Sequence, residues 1–278
     1  MLKDLNNNEP SFDSKKGWNR FLGRIEEEKM RKRKRVGQMM RYAAMLTTPL
    51  LLVGAWYILK NQDHTVNQTC FKTLSTQRGE IKKLQLTDGS TVTLNAESEI
   101  SYACSFSGAN ASRKIKLVKG EALFEVTKNK EVPFSVNTKG LLITVHGTVF
   151  NVNSYDKTVK TTLLHGSISA SANSKELYLK PNQSLSYANN EMKIANIEAQ
   201  NSTAWSRGVL WFENASLKEI LTSLQRNYQL SYQIDEQHLN KHYTASFKTE
   251  EGVANILKTL SAVSGLSLTI KNQVIVVQ

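Results

Sequence analysis

The fold class of the larger part of this chain is decided by the stretch Leu84-Gln85-Leu86-Thr87-Asp88-Gly89-Ser90-Thr91-Val92-Thr93-Leu94. Apolar and polar residues alternate on both sides of an Asp-Gly pair. Alternation with a period of two is typical of a half-buried strand, and Asp-Gly between two such runs is a hairpin signal. The stretch therefore predicts two antiparallel strands joined by a tight turn.

Short apolar runs of the same kind continue on both sides of this hairpin. Glycines interrupt them at turn-like positions, namely Gly120, Gly140, Gly147 and Gly166. No long run with helical spacing appears among them. We expect an all-β domain over residues 76–200, built as a roll, sandwich or solenoid of short strands.

The pattern changes near Trp205. Ser216 and Glu219 have the spacing of a capping box, and apolar residues then follow at helical spacing. A second helical stretch and several short alternating runs complete the order βαββαββ. Residues 205–278 therefore predict a small α+β domain with its helices on one side of its sheets.

One long apolar stretch precedes both domains. Tyr42–Leu59 carries no charge and lies between Arg41 and Lys60. As a helix its roughly 18 residues span about 27 Å, close to the roughly 30 Å of a bilayer core. Polar residues before it disfavour a cleaved signal peptide, and charges at both ends disfavour a buried core helix. We expect a single-span membrane protein with a transmembrane helix over residues 42–60 and a linker over 61–75.

Charge predicts the orientation of that helix. Residues 1–42 contain twelve Lys and Arg against six Asp and Glu, and the densest basic run is residues 31–35. Because basic residues stay on the cytoplasmic side, we expect residues 1–41 in the cytoplasm and residues 61–278 in the periplasm of a cell with an inner membrane. Beside a span, such a run favours orientation and anionic lipid over nucleic-acid binding.

The cytoplasmic arm contains one amphipathic helix in this interpretation. Trp18, Phe21, Leu22 and Ile25 fall at positions i, i+3, i+4 and i+7, which is one apolar stripe. A short isolated helix is marginally stable in water, so an exposed stripe of this kind favours the groove of a protein partner. The alternative is a helix that lies on the inner membrane surface.

No catalytic or metal-binding constellation is evident, so we expect neither an enzyme nor a bound metal or cofactor. His238 and His242 have a metal-like spacing, but no Glu follows the first His as a zincin requires. Asp88 and Glu121 are an unconvincing carboxylate pair, because the Asp-Gly turn already explains Asp88.

Two further sets of residues leave alternatives open. Trp205, Trp211 and Phe212 could line a ligand platform, but strand alternation places part of the set in a core. Cys104 shares a strand face with apolar neighbours, which favours a small buried core residue, whereas a disulfide with Cys70 is the alternative in an oxidising compartment.

Several segments together resemble the FecR family of membrane anti-sigma factors. They are residues 76–80 (TQRGE), residues 84–96 (LQLTDGSTVTLNA), residues 120–126 (GEALFEV), residues 133–136 (PFSV) and residues 145–152 (VHGTVFNV). The segment after Trp205 resembles the domain that closes the Bacteroidetes-type members, and its pattern is similar to the short secretin/TonB N-terminal fold. The resemblance covers most of residues 16–278.

The resemblance implies a signal relay without catalysis. In the family, the cytoplasmic arm binds an extracytoplasmic-function sigma factor, and the periplasmic part responds to the signalling domain of a TonB-dependent outer-membrane transducer. An intramembrane or periplasmic protease is a further expected partner, and no direct contact with nucleic acid is expected. The stripe at Trp18, Phe21, Leu22 and Ile25 is the expected sigma-factor contact, and the transducer is expected to dock within residues 207–278.

One departure and two rival functions accompany this interpretation. The arm of about 41 residues is shorter than the several helices usual in the family. This predicts that the arm holds the sigma factor weakly, or that it acts mainly as an activator that presents the sigma factor. The main rival is a membrane-anchored module that binds envelope glycan through exposed aromatic residues. The other is a glycan hydrolase, which requires two carboxylates about 5–9.5 Å apart in a cleft.

Overall fold

The computed structural model describes residues 70–108 and 111–277, together with Gly23, Met30, Val53, Ala55 and Trp56. The chain divides into two compact units, Met1–Gln68 and Thr69–Gln278. Across the described residues, no helix combines the length and the apolar character that crossing a membrane requires.

The predictions for the N-terminal part of the chain fall mostly outside these residues. The stripe at Trp18, Phe21, Leu22 and Ile25 lies entirely outside them. So does the predicted transmembrane helix over 42–60, except for its three described positions, which are helical.

The described residues between 70 and 196 form a β domain with thirteen strands, and the prediction of a β-rich fold is confirmed. The strands are β1 (Phe71–Ser75), β2 (Lys82–Gln85), β3 (Thr91–Leu94), β4 (Glu99–Ala103), β5 (Lys114–Glu125), β6 (Phe134–Thr138), β7 (Leu141–Val145), β8 (Val149–Ser154), β9 (Val159–His165), β10 (Ile168–Ala172), β11 (Lys175–Leu179), β12 (Gln183–Ala188) and β13 (Glu191–Asn196).

The long strand β5 belongs to two leaves of this sheet. Its first half pairs with β4 and, in parallel, with β6, in the leaf that also contains β1, β7, β10 and β11. Its second half pairs with β3 and β8, in the leaf that also contains β2, β9, β12 and β13. The architecture is a roll in which one strand continues from the first leaf into the second.

Gly120 lies where β5 passes between the leaves. Its φ is +97°, and a Cβ at this position would come within 2.4 Å of the Cα of Ser98. The register of β4 against β5 also shifts between Glu99 and Ile100, which is a bulge. Only glycine allows this conformation and this approach together, so the motif that begins at Gly120 has a geometric role.

The core of the β domain lies between the two leaves. Phe124 of β5 stacks on Phe150 of β8, with ring centroids 4.9 Å apart. Phe124 also meets Phe134 of β6 edge-on at 6.2 Å. Because β6 and β8 belong to different leaves, these rings show that the leaves pack face to face around one core.

The prediction of a linker over 61–75 is wrong at its end. Residues 71–75 form β1, which pairs with β4. A disulfide joins Cys70, just before β1, to Cys104, just after β4, with their Cα atoms 5.3 Å apart. The favoured interpretation of Cys104 as a buried core residue is therefore wrong, because the residue is half-buried and disulfide-bonded.

A 3₁₀ helix over Ala199–Arg207 leads from the β domain to a C-terminal module, residues 209–277. The elements of the module are β14 (Val209–Ser216), α1 (Leu217–Tyr228), β15 (Ser231–Gln233), α2 (Glu236–Leu239), β16 (His242–Lys248), a 3₁₀ turn (Thr249–Glu251), α3 (Val253–Ser264), β17 (Leu268–Lys271) and β18 (Val274–Val277). The observed order matches the predicted βαββαββ except for the added short helix α2 and the 3₁₀ turn.

The module contains two small sheets and its own core. β14 pairs with β16, while β15, β18 and β17 form a three-stranded sheet. The capping box is confirmed, because the backbone N–H of Glu219 donates to Ser216 Oγ at 3.2 Å and that of Ser216 donates to the Glu219 carboxylate at 2.7 Å. The buried face of α1 consists of Leu217, Ile220, Leu221 and Leu224.

Candidate functional site

The histidine and aromatic residues that the sequence offers as metal or ligand candidates do not come together in the structure. His238 lies on α2 and His242 begins β16, and the described part of the chain holds no group of three His, Cys, Asp or Glu suited to a metal ion. Trp205 and Phe212 are buried, whereas Trp211 is 41% exposed. Alternation along β14 therefore separates the aromatic residues that a ligand platform would need.

Asp88 and Glu121 do not pair as carboxylates, because each has its own partners. Asp88 accepts hydrogen bonds from the backbone N–H of Ser90 at 2.9 Å and from the Ser90 hydroxyl at 2.8 Å. It also accepts from Arg113 Nε at 2.8 Å, and the side chain of Arg113 is only 1% exposed. Asp88 thus stabilises its turn and neutralises a buried arginine.

The two Nη groups of Arg113 donate to backbone carbonyls, and Nη2 also donates to Ser90 Oγ at 3.5 Å. Nη1 donates to Val132 O at 2.9 Å and Nη2 donates to Thr127 O at 2.6 Å. The guanidinium also lies over the ring of Phe134, 5.4 Å from its centroid. This arrangement holds three loops of the β domain together and leaves Arg113 unavailable to a ligand.

Glu121 occupies a buried polar pocket on the second leaf. Its carboxylate accepts from the amide groups of Asn95 at 2.8 Å and Asn151 at 2.9 Å. Burial raises the pKa of this carboxyl group, and the hydrogen bonds from the asparagines oppose that shift only in part. The positive charge of Arg226 acts in the same direction as those bonds.

Arg226 comes from the other module, so this pocket lies where the two modules meet. The Arg226 guanidinium lies over the ring of Tyr155, 3.8 Å from its centroid. The Tyr155 hydroxyl donates to the carbonyl of Ala96, and burial raises the pKa of that hydroxyl. The ring is therefore held in place as a neutral platform for the cation.

Backbone groups complete this contact. The N–H of Gly79 donates to the carbonyl of Arg226 at 2.8 Å, and Gln229 Nε2 donates to the carbonyl of Arg78 at 3.3 Å. The last four carbonyls of a helix have no partner within the helix, and Arg226 lies in the last turn of α1. The β domain thus caps this helix, and we call the five residues Arg78, Gly79, Tyr155, Arg226 and Gln229 the junction.

The module also presents unpaired sheet edges. Among the described residues, β15 and β17 each pair only with β18, and β14 and β16 pair only with each other. Such edges carry free backbone donors and acceptors to which an extended partner can add a strand. On β17 the side chain of Ile270 is 38% exposed beside that edge.

Sequence reasoning missed the junction altogether. A basic residue in the last turn of a helix is ordinarily explained by the helix dipole, and Arg226 carries no other local signal. Tyr155 follows β8 without any periodic context. Arg78 and Gly79 lie in the motif at residues 76–80, but the motif gave no indication of their partners.

Comparisons with known proteins agree with this architecture. A family model described as "FecR protein" matches residues 72–169, and one described as "FecR, C-terminal" matches residues 209–277. Two similar crystal structures show a candidate anti-sigma factor from Parabacteroides distasonis ATCC 8503. Both have a TM-score of 0.68, at 24% and 25% identity, and they cover 75% and 74% of this chain and 98% of their own. None of the curated proteins compared with the chain matches it.

Proposed function

The chain belongs to the FecR family, and on that premise we propose that it is a membrane-spanning anti-sigma factor that relays a periplasmic signal to a cytoplasmic sigma factor. Family membership itself supports the general role of a sigma regulator. The observation that carries the proposal is the succession of the two family models, which follow one another over the β domain and the C-terminal module.

The membrane topology is the first step of the proposal. The uncharged stretch Tyr42–Leu59 follows the basic run at residues 31–35 and precedes the β domain. A helix there places the arm in the cytoplasm and both folded modules in the periplasm. The disulfide Cys70–Cys104 supports an oxidising compartment for residues 70–277.

The two partners are the second step. We assign an extracytoplasmic-function sigma factor to the stripe at Trp18, Phe21, Leu22 and Ile25, and the signalling domain of a TonB-dependent transducer to the C-terminal module. The open edges of β15 and β17 support the second assignment, since they can accept an added strand. A protease that cuts the chain after the signal completes the proposed relay.

The envelope-binding alternative has little support from the described residues. It requires several exposed aromatic side chains in one groove of the β domain, whereas the large aromatic side chains exposed there, Phe71 and Tyr178, lie on β1 and β11, the opposite edge strands of the first leaf. The family is regulatory and is not a family of enzymes, which also disfavours a hydrolase.

The proposed function is tested by capturing the sigma factor from cells. The tagged full chain is solubilised from membranes and its partners are identified, in parallel with a variant in which the four stripe residues are replaced by alanine. We expect the unaltered chain to capture one extracytoplasmic-function sigma factor. The variant should capture at least about tenfold less of that sigma factor, because large apolar anchors dominate such interfaces.

A matched control replaces four apolar arm residues off the stripe, Leu2, Leu5, Val36 and Met39, by alanine. This control should retain the sigma factor. Absence of any sigma factor from the unaltered chain would contradict the proposal, and equal loss in both variants would contradict the assignment of the stripe.

A further inference from the structure

The two periplasmic modules have separate hydrophobic cores. The buried cluster of the β domain runs from Leu86 to Tyr187, and that of the C-terminal module runs from Leu210 to Ile275, with no residue in common. The hydrogen bonds and ring contact at the junction involve polar groups on both sides. Opening of these polar contacts exposes neither buried cluster, and relative motion is the usual behaviour of polar interdomain contacts.

The junction is nevertheless shaped for close contact. Gly79 has a φ of +71°, and a Cβ there would lie 3.0 Å from the carbonyl oxygen of Asn227. A side chain at this position would therefore meet the end of α1. The absence of one lets the N–H of Gly79 reach the carbonyl of Arg226 at 2.8 Å.

Electrostatic attraction also helps to hold the Arg226 side chain at the junction. Its guanidinium faces the ring of Tyr155, and the carboxyl group of Glu121 lies close enough to feel its charge. A cation over an aromatic ring in a partly buried place is held more strongly than one in water. When α1 leaves the β domain, this cation loses both the ring and the neighbouring carboxylate.

Part of the junction, Arg78 and Gly79, lies close in sequence to the segment that precedes β1. Residues 76–80 directly follow β1, and the disulfide at Cys70 ties the start of β1 to the end of β4. The turn that receives the end of α1 is therefore separated from the membrane-proximal segment by a single short strand. A change at α1 has a short covalent and hydrogen-bonded route towards that segment.

We propose that the junction is a latch, which holds the C-terminal module on the β domain in the resting state and opens when a signalling partner engages the module. This inference rests on the proposed function and adds its regulation. If the partner binds the open state more tightly than the closed one, it shifts the equilibrium towards opening, and weakening the latch shifts it in the same direction without the partner.

The latch is tested by hydrogen exchange of the full chain in detergent micelles, read by mass spectrometry on peptides from residues 76–80 and 225–230. Arg226→Ala removes the cation and favours the helix, so α1 itself should remain formed. The expected result is exchange roughly 2- to 30-fold faster in both peptides, which is the range of a lost cation–π contact. Exchange of the buried strands β5 and β8 should stay unchanged.

Lys218→Ala is the matched control, because Lys218 is an exposed basic residue on the same helix. It should leave both peptides as they are in the unaltered chain. Equal exchange in Arg226→Ala and the unaltered chain, equal acceleration in both variants, or acceleration that extends to β5 and β8 would each overturn the latch.

Regulation is read separately, from a reporter gene under the captured sigma factor. Arg226→Ala should change reporter output without inducer by at least about twofold, and Lys218→Ala should not. Faster local exchange with unchanged output would overturn the regulatory role of the latch. Failure to capture any sigma factor would instead overturn the proposed function, and the exchange result would stand on its own.

Discussion

At the scale of single residues, the turn within residues 84–96 is explained by a buried ion pair between Asp88 and Arg113. Asp88 joins the hairpin turn to Arg113, and Arg113 joins that turn to the carbonyls of Thr127 and Val132. A buried ion pair adds little stability over an apolar pair, but loss of one partner leaves an uncompensated charge. Asp88 is therefore a structural residue, as the Asp-Gly turn predicts, and its side chain is only 10% exposed.

Asp88→Ala should lower the free energy of unfolding by about 3–5 kcal/mol, because it leaves the Arg113 guanidinium buried without its counter-ion. Thermal unfolding of the detergent-solubilised chain, followed by circular dichroism, measures the effect. Glu191→Ala is the control, since Glu191 pairs with Lys193 on the surface and should contribute no more than about 1 kcal/mol. Similar melting of the two variants would show that Arg113 has another compensating partner.

Glu121 makes stability depend on pH in a defined direction. Burial raises the pKa of its carboxyl group in the folded state above the ordinary value of 4.5, so the native state holds the proton more tightly than the unfolded state. The contribution of the Glu121 proton to the free energy of unfolding is therefore complete below about pH 4.5 and is lost as the pH rises through the folded-state pKa.

Glu121→Gln should remove this dependence, because an amide does not titrate. We expect the stability of the unaltered chain, relative to this variant, to fall as the pH is raised from 4.5 to 8. Unfolding curves at a series of pH values measure the difference. Glu125→Gln, on the same strand but exposed, should run parallel to the unaltered chain, and a parallel curve for Glu121→Gln would refute the raised pKa.

At the scale of elements, local chemistry determined what could be predicted. The hairpin of β2 and β3 follows from Asp88-Gly89, and the start of α1 follows from the pairing of Ser216 with Glu219. Both signals lie within a few residues of the structure they produce. The four-residue helix α2 is too short to show a period, so the sequence predicts no helix there.

Contacts between distant residues could not be predicted in this way. The Asp-Gly turn explained Asp88 but gave no sign of Arg113, which lies on the far side of two strands. Likewise, nothing local connects Tyr155 with Arg226. The junction depends on how complete modules meet, and a single sequence contains no periodic signal for that.

The disulfide stabilises one element of the fold, the short edge strand β1. β1 pairs only with β4 among the described strands, and Cys70–Cys104 closes the end of that pair. Cys70→Ser combined with Cys104→Ser should lower stability by about 3–4 kcal/mol, chiefly because the unfolded chain gains freedom.

Thermal unfolding measures that loss, and hydrogen exchange should show faster exchange of residues 71–75. Reductant should reproduce both effects in the unaltered chain and should have no effect on the double variant, which serves as the control. Unchanged exchange of β1 after removal of both cysteines would mean that pairing with β4 suffices to hold the strand.

At the scale of the whole molecule, the two cores predict two unfolding transitions. Leu224 is fully buried in the core of the C-terminal module. Leu224→Ala should destabilise that module by about 2–5 kcal/mol and leave the β domain almost unaffected, because no buried apolar residue is shared. Differential scanning calorimetry should show one transition that moves to lower temperature and one that stays in place.

Ser223→Ala is the matched control, because Ser223 is next to Leu224 on the same helix but is only half-buried and lies outside that core. This substitution should leave both transitions at their original temperatures. A single transition that shifts as a unit in Leu224→Ala would mean that the junction couples the modules as strongly as a shared core does.

The sharing of β5 between two leaves has a consequence for biogenesis. In the proposed topology the polypeptide crosses the inner membrane from its amino-terminal side onward, so β3 and β4 emerge before their common partner, and β8 emerges after it. β5 cannot complete its ladder until Val149–Ser154 has been translocated. Until then the nascent domain exposes unpaired strands, which makes export the stage at which this protein most needs a periplasmic chaperone.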